Sequence, residues 1–146
     1  MMRVAFALLL SAISLPAIAQ LRDFSCVGAD RLETDSIAIE FARGADRLTP
    51  ETITALGPLA EMAREAPARH FCVFGFAATP EGGAQTASRL AARRARAVAL
   101  QLSQMGIERD RVRAEARTRG FATTGTDRRS GARIILLPAN PQTPSQ

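Results

Sequence analysis

The stretch Leu90-Ala91-Ala92-Arg93-Arg94-Ala95-Arg96-Ala97-Val98 decides how this chain is read. At about 100° per residue of helix, Leu90, Ala91, Arg94, Val98, Leu102 and Met105 share one face, so an amphipathic helix carries an arginine inside its own apolar stripe. An isolated buried charge costs far more than its methylenes recover, and Arg94 therefore requires an anion or an escape to the stripe's edge. A carboxylate of its own chain would make Arg94 structural, whereas a carboxylate brought by a ligand would make it a binding residue. Arg89, Arg93 and Arg96 fall on the opposite, solvated face.

Outward from this helix the punctuation is regular. Ile37-Ala38-Ile39-Glu40-Phe41 alternates as a half-buried strand does, and Gly44 ends it. Thr49-Pro50-Glu51 opens a helix with an N-cap, a proline in the first turn and an acid beside it. That helix is expected to bury Ile53, Leu56, Ala60 and Ala63, with a kink at Gly57-Pro58. Pro67 closes it. His70 to Phe76 is the most apolar strand and is expected at the centre of its sheet, with His70, the only histidine, at its polar entrance. A glycine-rich loop, Thr79-Pro80-Glu81-Gly82-Gly83, leads into the long helix from Ala84 to Met105, which Gly106 caps.

Two shorter strands follow, Arg111 to Ala116 and Ala132 to Leu137. The order strand, helix, strand, helix, strand, strand predicts an α+β sandwich with two main helices on one sheet face.

Residues 1–19 read as a secretory signal: Arg3 is followed by an apolar stretch from Val4 to Ile13, and Ala17-Ile18-Ala19 forms a small-residue cleavage site. This stretch is too short to span a bilayer, no second hydrophobic segment follows, and the mature chain is expected to have no transmembrane segment. Asp23-Phe24-Ser25 before Cys26 is unsuited to lipidation. In an exported chain Cys26 and Cys72 read as a disulfide, against the alternative of two buried thiols; two thiols and one histidine make a poor metal set.

The 146 residues divide on this reading into a signal at 1–19, a polar lead at 20–35, one domain at 36–138 and a disordered tail at 139–146. The charge is +5 with a pI near 11, and every basic residue is an arginine. Export and the lack of aromatics interleaved with the arginines argue against nucleic acid, leaving acidic envelope surfaces as the counter-charge. Neither a convincing Ser-His-Asp set nor a phosphate-cradling glycine motif is present, so no catalytic residue, metal or cofactor is expected.

Phe41, Leu48-Thr49-Pro50, Gly75 after an apolar strand, Leu90 to Val98, Met105-Gly106-Ile107, Arg111-Val112 and Arg128 to Leu136 together resemble the C-terminal, peptidoglycan-associating domain of OmpA-like proteins. The resemblance spans about residues 36 to 138 and implies that family's fold and a periplasmic place in association with the outer membrane or cell wall. Arg94 lies on the motif arginine, which in the family works with a loop aspartate to clasp the diaminopimelate of the peptidoglycan stem peptide. The fork takes the carboxylate and the acid answers the amine. Here the family's His-Thr-Asp falls on Phe76-Ala77-Ala78, or one residue later, and supplies no aspartate; its Tyr-Asn reads Thr86-Ala87 and its Asn-Arg-Arg-Val reads Gly131-Ala132-Arg133-Ile134. Glu81 is the candidate replacement acid.

The resemblance thus implies a non-catalytic envelope domain with weak or vestigial peptidoglycan binding through Arg94. The alternative is an interaction protein that keeps the fold and meets another envelope protein, through the arginine stripe with exposed Leu100 at its centre.

Overall fold

The computed structural model describes residues 23–32, 36–78, 81, 83–117 and 130–138. The signal segment, Thr79, Pro80 and Gly82 of the glycine-rich loop, most of the connection between the last two strands and the tail lie outside these residues.

Four strands, β1 (Ser36–Ile39), β2 (Phe71–Phe76), β3 (Val112–Ala116) and β4 (Gly131–Leu136), form one sheet in the order β1-β4-β2-β3. β4 runs antiparallel to both β1 and β2, while β2 and β3 are parallel. The parallel pair demands a crossover, and α3 (Gly83–Gln104) supplies it across the sheet face. β2 is central, as its apolar run predicts, and is buried from Phe71 to Gly75.

The first helical region is two helices, α1 (Pro50–Ala55) and α2 (Gly57–Glu65), rather than one kinked rod. Leu56 serves as the C-cap of the first and the N-cap of the second, with Pro58 in the first turn of α2, where its missing N–H costs nothing. Thr49 caps α1, its Oγ1 accepting the N–H of Thr52 at 3.2 Å. Leu56, Ala60 and Ala63 are buried as expected and Leu59 joins them, but Ile53 is only half-buried because α1 itself buries no residue. Expected strand limits shift by one or two residues, and Ile37 is exposed on the edge strand.

Between the helices and the sheet lies the main core, in which Leu56, Leu59, Phe71, Val73, Val98, Leu102 and Ile134 interdigitate. Gly75 is a packing requirement: a Cβ there would sit 1.9 Å from the backbone oxygen of Ala91, so only glycine lets α3 lie this close to β2. At the other end of α3 the N–H of Ile107 donates to Leu102 O and that of Gly106 to Ser103 O, with Gly106 at φ +94°, a Schellman close.

The opposite face of the sheet carries a second, smaller core that periodicity did not reveal. Phe24, Cys26 and Ala29 of the lead pack on Cys72, Phe74 and Ile135, and Cys26 and Cys72 are disulfide-bonded with Cα atoms 5.7 Å apart. The Phe24 ring stacks on His70 at 4.4 Å between centroids. The lead is thus not merely polar: Phe24, Cys26 and Ala29 cover part of a sheet face that two-layer packing would leave wet.

Candidate functional site

Arg94 is wholly buried, the largest fully buried side chain among the described residues. α3 presents it from the apolar stripe toward the ends of β1 and β2, and the surroundings satisfy its whole fork. Nε donates to Ala45 O at 2.8 Å, Nη1 to Phe76 O at 2.9 Å and to Ser130 Oγ at 3.1 Å, and Nη2 to Ala42 O at 3.2 Å. The Phe41 ring lies 5.3 Å from the guanidinium carbon.

Its counter-ion is Glu81. Nη2 donates to Oε1 at 2.8 Å and Nη1 to Oε2 at 3.2 Å, a two-point pair between side chains 0% and 5% exposed. The carboxylate also accepts the N–H of Gly44 and the N–H of Ala78, each at 2.9 Å, and the Ser130 hydroxyl at 3.2 Å. The Arg94 hydrogen bonds, helped by those two backbone donors against the cost of burial, hold the Glu81 carboxyl down to about 2. Such a pair is tolerated in a core only when the remaining donors and acceptors are also used, and here they are.

Of the two readings that the helix stripe leaves open for Arg94, the geometry delivers the internal carboxylate. Glu81 occupies the fork itself, with both carboxylate oxygens on the guanidinium. Sequence reasoning brings these two residues forward but misses Ser130, which bridges them, and the carbonyls of Ala42 and Ala45, which no side-chain pattern announces. It also misses the burial of Arg111, read as a strand start and as part of the resemblance. That residue is 2% exposed, donating from Nε to Arg69 O, from Nη1 to Glu108 Oε2 and from Nη2 to Ala63 O and Ala66 O at the C-terminal end of α2.

Comparison with known proteins fits this architecture. The OmpA family profile matches residues 40–133, most of the chain. The chain belongs to the OmpA family. No curated protein matches it by sequence. Among solved structures it is similar to the OmpA-like domain of FopA1 from Francisella tularensis, with 18% identity over 70% of each chain and a TM-score of 0.60. The peptidoglycan-associated lipoprotein from Burkholderia pseudomallei is 19% identical over 70% of this chain and 88% of its own, with a TM-score of 0.53. The C-terminal domain of Helicobacter pylori MotB is also 19% identical, over 71% of this chain and 84% of its own, with a TM-score of 0.58.

In this OmpA-family domain no helix among the described residues is long and apolar enough to cross a membrane. Among the same residues no group of three His, Cys, Asp or Glu side chains is placed to hold a metal ion.

Proposed function

We propose that this chain is a non-catalytic cell-envelope domain in which the stem-peptide clasp is vestigial, its arginine having become a structural hub. One observation carries the reading: Glu81 fills the Arg94 fork that a ligand carboxylate would need. A diaminopimelate carboxylate would have to displace an intramolecular partner held by two further backbone N–H groups, and the aspartate that would answer its amine has no counterpart at Ala78 or Thr79. With the clasp closed, contact with the envelope falls to the domain's surface. Export with cleavage after Ala19 belongs to the same reading, and the intact mass of the processed protein tests it.

Calorimetric titration with a diaminopimelate-containing stem peptide tests the closed clasp. The unmodified protein is expected to bind no tighter than about millimolar, and Glu81→Ala, which frees the fork, to bind at least tenfold more tightly. Micromolar binding by the unmodified protein that Arg94→Ala abolishes would overturn the reading.

A further inference from the structure

α3 carries four arginines, Arg89, Arg93, Arg94 and Arg96, and no acidic residue in its 22 positions. Arg94 is consumed in the core, but the other three are exposed. Spaced three and four apart, Arg89, Arg93 and Arg96 line up along the outer face, and Leu100, 51% exposed, continues the same line one turn further on. Like charges at these spacings weaken a helix, so the stripe is a standing electrostatic cost that an external anion would relieve.

The β1–α1 connection extends the same positive field. Asp46 pairs with Arg93 at 2.7 Å, and Ala42 and Ala45 bond Arg94, so this segment crosses α3 at the middle of the stripe. Arg43 and Arg47 of that segment are exposed. Among the described residues, these five exposed arginines meet one neutralising carboxylate in contact, Asp46.

We propose that the outer face of α3, with Arg89, Arg93, Arg96 and Leu100, docks the domain on an anionic phospholipid surface. The occupant follows from charge and shape. An outer helix face is convex and offers no groove to seat an extended peptide. A line of guanidinium forks running about 10 Å from Arg89 to Arg96, at 1.5 Å per residue, suits a plane of repeated phosphates, each able to take two parallel N–H donors. Leu100 at the end of that line adds an apolar contact at the headgroup boundary. This surface is separate from the Arg94–Glu81 pair, and its use does not depend on whether the clasp is closed.

Co-sedimentation of the protein, as the cell processes it, with phosphatidylcholine vesicles containing about a third phosphatidylglycerol tests this. Binding is expected to these vesicles and not to pure phosphatidylcholine, and to fall steeply as salt rises. Arg89→Gln/Arg96→Gln should weaken it at least tenfold, while Arg31→Gln/Arg133→Gln, which removes the same charge elsewhere, should weaken it far less. Thermal melts of both pairs check that each is folded. Equal losses in the two pairs would reduce the effect to net charge and overturn the docking face. Failure to bind anionic vesicles would overturn it as well, and so would binding to polyglutamate in its place, which would point to an acidic protein.

Discussion

Glu81 and Arg94, thirteen residues apart, meet fork to fork with almost no solvent on either side chain. Removing one partner strands the other, so Glu81→Gln and Arg94→Met are each expected to destabilise the domain by about 3 to 5 kcal/mol. The double variant should recover part of that loss. Denaturant melts of the full cycle measure the coupling, and strict additivity would mean the two groups do not depend on each other.

Acid should loosen the same contact. The Glu81 carboxyl lies below its unfolded value of 4.5, at about 2, so its contribution is fully present above pH 4.5 and is lost as pH falls toward 2. Melting temperature followed from pH 6 to pH 2 should decline through that window. In Glu81→Gln this part of the decline should be missing.

The Cys26–Cys72 bond closes a loop with a sequence separation of 46. In the chain-entropy treatment a loop of that size contributes about 4 kcal/mol, so a reductant should lower the melting temperature and increase sensitivity to protease near the lead. Thiol titration of the unfolded, unreduced protein should find no reactive cysteine.

Gly75→Ala places a methyl group against the backbone oxygen of Ala91, at a distance no packing permits. Either α3 lifts from β2 or the strand moves, with an expected loss of about 3 kcal/mol or more. Because Arg94 sits on the next turn of that helix, proton–nitrogen spectra of the variant should show the Arg94 Nε–H signal displaced.

Local chemistry was legible and distant closure was not. Thr49-Pro50 and Gly106 announce helix ends because capping involves neighbours in sequence, and the 71–76 strand announces its central place by lacking any polar position. The division at Leu56 escaped because a Gly-Pro pair looks the same whether a helix bends or restarts. The second core escaped for a different reason: Phe24, Cys26 and Ala29 follow no helical or strand period, and they form a core only where the disulfide lays them on Cys72 and Phe74. At the site, helix geometry alone singled out Arg94, yet a loop glutamate three residues from the expected position carries no sign of which way it turns. Ser130 and the carbonyls of Ala42 and Ala45 reach Arg94 from 36 to 52 residues away, a closure only the assembled sheet defines.

The guanidinium of Arg94 holds together the segment after β1, the end of β2, the loop before α3 and the residue preceding β4. It works as a keystone whether or not anything ever docks beside it. The presence of a signature arginine in a chain of this family therefore attests first that the arch stands, leaving the tenant to be established from the acid that faces it.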